Sequence, residues 1–329
     1  MSSTWSLKRR TMLALLAGGG AAFAQTAPTP PAFRPTRPVR ILSPQQPGGS
    51  TDAVLRPLAL RLSELWGQPV LVDNRPGGGS IIATQAVVQA PPDGHTLGLA
   101  INSLTINPSL REDLPYDTLR DLTPITQIAS ATIALVAHPS LGVSTVPEFV
   151  ALAKAKPGTI SWASLGMGTG GHITGELLRK RAGIEVVHVP FSGSSGAYRE
   201  LLPGRVHAAF VVLDSALPHV QAGKLRLLAV CDPRRHPHFP QVPSLQESYP
   251  GLAYESLLGL VGPAGMPPEL VQQLFTDIRG VLVEPAPRGQ LERQSLEVLA
   301  STPAEFAALL RREIAHWRSA VKESGAQVN

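Results

Sequence analysis

From about Pro38 onward, short apolar runs alternate with amphipathic stretches at a steady interval. Val39 to Leu42 is apolar, and the spacing that follows predicts a helix over Thr51 to Trp66. Next come a strand at Pro69 to Val72, a helix at Ser80 to Gln89 and a strand at Thr96 to Ile101. Brief apolar runs separated by helical-period segments are the signature of βαβ units, in which helices cover a sheet of mostly parallel strands. Ala131 to Ala137 predicts another strand. Thr145, Pro147 in the first turn and Glu148 three residues after the threonine form a capping box for a helix ending near Lys156. The rhythm then repeats, with strands at Thr159 to Ala163, Val186 to Val189, Val206 to Leu213 and Leu225 to Val230, and helices from about Gly171, Ser194 and Ser215.

A proline-studded stretch from Pro233 to Pro250 leads into an apolar run at Leu257 to Val261 and a helix over Pro267 to Val283. The final helix, Thr302 to Glu323, opens on a second capping box, Thr302 with Glu305. Its Phe306, Leu310, Ile314, Trp317 and Val321 make one apolar stripe that must dock on another surface, expected to be the first lobe. The pattern predicts an α/β chain of two lobes. Residues 38–137 and 256–329 form a discontinuous lobe 1, residues 138–255 form lobe 2, and the crossings near 138 and 255 act as a hinge.

Before Pro38 the chain reads differently. Lys8-Arg9-Arg10, the apolar stretch Met12 to Ala17 and Ala22-Phe23-Ala24 follow the plan of a cleavable export signal over residues 1–24, by the twin-arginine or the general secretory route. The apolar stretch falls far short of the roughly 20 residues of a membrane span. Residues 25–37 are proline-rich and predict an extended tether. The implied destination is the periplasm.

With 329 residues, 43% of them hydrophobic, the chain can build two ordinary cores. Cys231 is the single cysteine, so no disulfide forms within the chain. The formal charge of +5 hints at nucleic acid, but the signal carries three basic residues and no acidic one, which leaves +2 in the mature chain. The remaining basic residues are scattered without interleaved aromatics, so a nucleic-acid partner is not expected.

The candidate chemistry lies in two glycine-rich loops, Pro44 to Asp52 and Ser164 to His172, each between an apolar run and a helix. A loop of this kind directs the free N–H groups of a helix start, carrying about half a positive charge, at one point. Gly48 and Gly49 allow close backbone approach, Ser50 and Thr51 add hydroxyls, and Asp52 is placed to cap the helix. In the second loop Gly168, Thr169, Gly170 and Gly171 present N–H groups, and His172 is a further candidate donor. A third run, Pro76 to Ser80, either lines the same sheet edge or is a tight turn.

Other chemistries fit less well. Gly166, Gly168 and Gly171 have the spacing of a dinucleotide fingerprint, but it stands late in the chain and lacks a ribose-binding carboxylate, so no cofactor is expected. His236 and His238 have neither a cysteine nor a third histidine nearby, and no metal site is expected. No serine has the spacing of a nucleophile elbow, so catalysis would require Ser164 or Ser195 to pair with a histidine beside a glycine-loop oxyanion hole.

Eight markers in order carry a resemblance. They are RPVRILSPQQPGGSTD (37–52), DNRPGGGSIIA (73–83), PPDGHTL (91–97), NPSLREDLPYD (107–117), SLGMGTGGHITGEL (164–177), VHVPFSGSSGAYRELLPGRV (187–206), GLVGPAGMP (259–267) and TPAEFAALLRREIAHW (302–317). Over residues 37 to 328 the chain resembles the substrate-binding proteins of tripartite tricarboxylate transporters, the Bug receptors. The resemblance implies a type II-like periplasmic binding protein fold that closes on a small organic carboxylate. It further implies a non-catalytic, monomeric receptor that hands its ligand to membrane permease subunits; a sensor that presents the closed form to a signalling receptor would share the same site and is a separate alternative. The ligand residues it implies are Gly48, Gly49, Ser50, Thr51, Gly168, Thr169 and His172, with Ser103. Three departures fall on the specificity wall. Gln45 replaces the family's usual aromatic, Ser192 stands where Pro190-Phe191-Ser192-Gly193 usually reads Pro-Tyr-Lys/Arg-Gly and so replaces a Lys or Arg, and Val211-Val212 replace a usual Asp-Asn.

Overall fold

The computed structural model describes residues 33–293 and 296–326. The export signal over 1–24 and the tether before Phe33 lie outside the described residues. Packing includes residues before the expected Pro38: Phe33 is buried edge-on against Trp66, and its N–H and the Trp66 Nε1–H both donate to Asp277, at 3.1 and 2.8 Å.

The first lobe opens with β1 (Val39–Ser43), α1 (Ser50–Trp66), β2 (Val70–Asn74), α2 (Ile81–Val88), β3 (Thr96–Ala100), α3 (Asn102–Leu110) and β4 (Leu122–Ala131). The second contains β5 (Ile133–Ala137), α4 (Val146–Ala155), β6 (Ile160–Ser164), α5 (Gly170–Ala182) and β7 (Val186–Pro190). It continues through α6 (Ser194–Leu201), β8 (Ala208–Val212), α7 (Leu213–Gln221), β9 (Arg226–Val230) and α8 (Leu245–Ser248). The chain then returns through β10 (Ser256–Pro263), α9 (Pro268–Val283), α10 (Pro285–Arg293), β11 (Leu296–Val298) and α11 (Pro303–Ser324). Among the described residues no helix is long and apolar enough to cross a membrane.

Two sheets carry the lobes, in the orders β11-β4-β10-β3-β1-β2 and β7-β6-β8-β5-β9. They are mixed rather than mostly parallel. β1 pairs parallel with β2 and β3, and β6 with β7 and β8, but β10 and β5 run antiparallel to both of their neighbours. The cause is the chain crossing: a strand that arrives from the other lobe enters at the cleft edge and must run away from it. β5 lies in the second sheet, so the first crossing falls at Thr132 rather than after Ala137.

α11 corrects a second expectation. Its Phe306 and Leu310 pack with Leu104 and Leu257 of the first lobe, whereas Trp317 and Val321 join the core of the second, with Trp317 edge-on to Tyr254. A fork from Arg181 to the Glu323 carboxylate, at 2.6 and 2.7 Å, ties its far end to α5. The helix therefore bridges the lobes instead of docking on one.

Candidate functional site

The parallel strands of both sheets end on the same cleft, so the helices that follow them start there. This is the edge of an open α/β sheet where the loops leave room for a ligand. α1 follows β1, α3 follows β3, α5 follows β6, α6 follows β7 and α7 follows β8. Between them lies a cavity of about 480 Å³ lined from both lobes.

In the first jaw Gly48 has φ +80°, a backbone setting that side chains disfavour. Its N–H donates to Asp52 Oδ2 at 2.9 Å and is thereby occupied. Burial alone would raise the Asp52 carboxyl, but hydrogen bonds from Asn74 and the Gly48 amide, together with Arg56, hold it below the ordinary carboxylate range. Thr51 lines the cavity, and its Oγ1 is buried without a hydrogen-bond partner. Gly48, Gly49 and Ser103 also line the cavity, as does Gln45 of the expected specificity wall. Ser50 opens α1 through its backbone; its side chain lies outside the described residues.

In the second jaw Gly170 and Gly171 line the cavity with Thr169. Both glycines are required by close packing. A Cβ on Gly170 would lie 2.3 Å from the Tyr254 ring, and one on Gly171 would lie 2.8 Å from Phe210 Cβ. The Thr169 hydroxyl is already engaged, donating to Gly166 O at 2.7 Å and accepting the His172 N–H at 3.4 Å as the N-cap of α5. The first turns of α3, α5 and α6 carry no acidic residue, which leaves their positive ends unneutralised by their own side chains.

Four expected site residues do not line this cavity. The Gly168 N–H donates to His172 Nδ1 at 3.2 Å, so the pair stabilises the loop from behind. Val211 is fully buried on the opposite face of β8, while Phe210 and Val212 line the cavity, as strand alternation requires. Ser192 lies in an adjoining groove of about 730 Å³, which shares Gln45, Gly49 and Ser194 with the cavity. The third glycine run likewise stays outside: it forms a tight turn whose Gly79 abuts Met167 of the second loop across the cleft.

Behind the second loop, His188 is stacked between Trp162 and His172, with ring centroids at 4.3 and 4.6 Å. Burial pushes the His172 imidazole down, and burial with the neighbouring His172 pushes His188 down to about 3. Polar atoms of these two histidines and Glu176 come within 4.8 Å of one another. Rings stacked face to face at 15° aim their in-plane lone pairs side by side rather than at one point, and Glu176 is paired with Arg179 at 2.7 Å. The cluster is poorly arranged for a metal ion. Ser164 Oγ lies 2.7 Å from His188 Nε2, the one serine–histidine contact at this loop, but Ser164 is fully buried and neither residue lines the cavity. Among the described residues no histidine hydrogen-bonds Ser195.

The sequence reading missed several lining residues: Asn102, Tyr198, Asp214, His219 and Tyr254. Asn102 clamps the return crossing, donating to Glu255 O and accepting from the Leu257 N–H, both at 3.0 Å. The signal for Asp214 was present in the sequence as an acid one residue into the helix after an apolar strand. Tyr254 had no comparable signal, because it belongs to the proline-rich return segment.

Comparison with known proteins agrees with this architecture. The model of the Tripartite tricarboxylate transporter family receptor matches residues 54–326. Protein BugT of Bordetella pertussis is 33% identical over 297 residues, 89% of this chain and 91% of BugT. An R. palustris protein solved with adipate superposes with a TM-score of 0.84 at 31% identity, covering 89% of this chain and 99% of that one. MatC from Rhodopseudomonas palustris, with bound malate, gives 0.82 at 27% identity over 87% and 99%. With a family model spanning both lobes and relatives of this extent, the chain belongs to the tripartite tricarboxylate transporter receptor family.

Proposed function

We propose that the protein is a non-catalytic periplasmic receptor that captures a small organic carboxylate between its lobes and delivers it to the membrane subunits of a tripartite transporter. The observation that carries this reading is a cavity onto which several helix starts converge and which is lined by Thr51, a residue whose buried hydroxyl has no hydrogen-bond partner. A carboxylate satisfies such a group, whereas an apolar ligand leaves it unpaired at a cost of about 1–3 kcal/mol. The N–H groups of Gly49, Ser50, Thr51, Gly170 and Gly171 hold the carboxylate, with Ser103 beside them. Gly168, Thr169 and His172 shape the second jaw. Gln45 and Val212 line the specificity wall, Ser192 lies at the entrance, and Val211 supports the wall from the core. The chain acts as a monomer, and closure of the lobes is what the membrane partner reads. The adipate and malate of the two neighbours accord with a carboxylate ligand.

Thermal shift of the mature protein against a panel of small carboxylates tests the reading. A ligand at about 100 times its Kd should add about 2.7 kcal/mol to stability, and it should be recovered chemically unchanged. A hydrolysed or transferred product would instead support an enzyme, and absence of any shift across the panel would remove the carboxylate reading.

A further inference from the structure

The groove beside the cavity is a second space with its own equipment. The first turn of α6, with Gly193 before it, walls it from the second lobe, and Gln45, Gln46 and Gly49 face it from the first. Cavity and groove adjoin at Gln45, Gly49, Ser194 and Ser195, which line both. The lobes come close there: a Cβ on Gly49 would lie 3.8 Å from Ser194 Oγ and 4.0 Å from Gln45 Oε1.

Three features of the groove suit an anion. Gly193, at φ +113°, offers no side chain to cap α6, and among the described residues the N–H groups of Ser194, Ser195 and Gly196 have no acceptor. Ser194 is only 6% exposed, yet its hydroxyl has no hydrogen-bond partner among the described residues. Arg199, the one charged residue among those lining the groove, stands one turn after Ser195 on the same face of α6. Its guanidinium makes no ion pair among the described residues. The neighbouring Glu200 carboxyl is held low first by a fork from Arg205, at 2.6 and 3.1 Å, and least by the charge of Arg199.

On the carboxylate-receptor reading, we infer that the groove is a second anion seat of the same binding site, and that the receptor takes an elongated ligand with an acidic group at each end. One carboxylate lies in the glycine jaws, and the other passes Gly49 to the start of α6, between Ser194 and Arg199. There the α6 amides and the Ser194 hydroxyl donate to it, and the guanidinium supplies the opposite charge. Arg199 is thereby a specificity residue: it rewards a second negative charge, and a ligand with a single acid group gains nothing from it. Arg199 is exposed, so its share is screened by salt.

The test is calorimetry of the mature protein with adipate, pimelate and suberate against hexanoate, heptanoate and octanoate, pairs of equal length that differ only at the far end. At least one diacid should bind about tenfold or more tightly than its matched monoacid, the worth of one charge-assisted contact. That advantage should shrink as salt rises from about 0.01 to about 0.15 M, over which the screening length falls from about 30 to about 8 Å. Arg199→Gln should erase most of the advantage and Ser194→Ala part of it, with melting of the free variants as a folding control. Diacids that bind no more tightly than their monoacids, or an advantage that survives in both variants, would overturn the inference and leave the carboxylate receptor standing. Binding of none of the six would also overturn it, and the wider carboxylate panel then decides the receptor reading separately.

Discussion

Thr51 Oγ1 is buried with no partner, whereas Thr169 Oγ1 has two, and this difference separates ligand chemistry from helix capping at two superficially equivalent hydroxyls. Thr51→Val removes a hydroxyl that the protein itself does not use, so stability should be unchanged or slightly improved. Carboxylate affinity should fall roughly five- to tenfold, the worth of one hydrogen bond of about 1–1.5 kcal/mol. Thr169→Val should behave in the opposite way. It removes an N-cap, costs about 1 kcal/mol and lowers the melting temperature by roughly 2 °C, with a smaller effect on affinity. Parallel calorimetry and melting of the two variants check the assignment, and an equal affinity loss would contradict it. From the sequence both residues read simply as hydroxyls in glycine loops. Which one was already satisfied depended on where Gly166 O and the His172 N–H come to lie.

Among the elements, α5 depends most on glycine for packing rather than for turning. Gly170, Gly171 and Gly175 lie against Tyr254, Phe210 and Trp162, and a Cβ on Gly175 would lie 2.1 Å from the Trp162 ring. In Gly170→Ala the Tyr254 ring must move, and Tyr254 also packs on Trp317 of α11, so the strain reaches the bridging helix. The expected loss is about 1–3 kcal/mol, typical of overpacking, read as an earlier denaturant midpoint, together with weaker ligand binding as the cavity wall shifts. An unchanged midpoint would show that Tyr254 has room to relax. The glycine spacing was legible in the sequence and resembled a nucleotide-binding fingerprint. Gly166 and Gly168 of that spacing serve positive φ, whereas the aromatic rings from three separate segments that require Gly170, Gly171 and Gly175 were not legible, because nothing local in residues 164–175 names those partners.

Across the whole molecule, Thr132 at the first crossing donates its hydroxyl to the carboxylate of Asp232, just beyond β9 of the second lobe. Burial pushes Asp232 up to about 6, and the charges of Glu255 and Glu297 add to that. A carboxyl raised in the folded state keeps its proton while the unfolded chain loses it. Its contribution to stability is therefore present at low pH and is lost as pH rises from about 4 to about 6. Asp232→Asn should thus stabilise the protein above that window, by on the order of 2–3 kcal/mol, and change little at its acid end. Melting temperatures of the variant and its parent across pH check this, and a difference independent of pH would refute it. What the sequence determined by itself was local: strands and helices from their periodicity, helix starts from capping boxes, and glycine loops from composition, since each depends on residues a few positions apart. Only the tertiary structure decided that crossing strands make both sheets mixed and that α11 bridges the lobes. It also brought Asp214 rather than Val211 to the cavity and set His172 behind its loop. Those outcomes depend on strand direction and on which face of each element meets the cleft, and both arise from contacts between segments far apart in the chain.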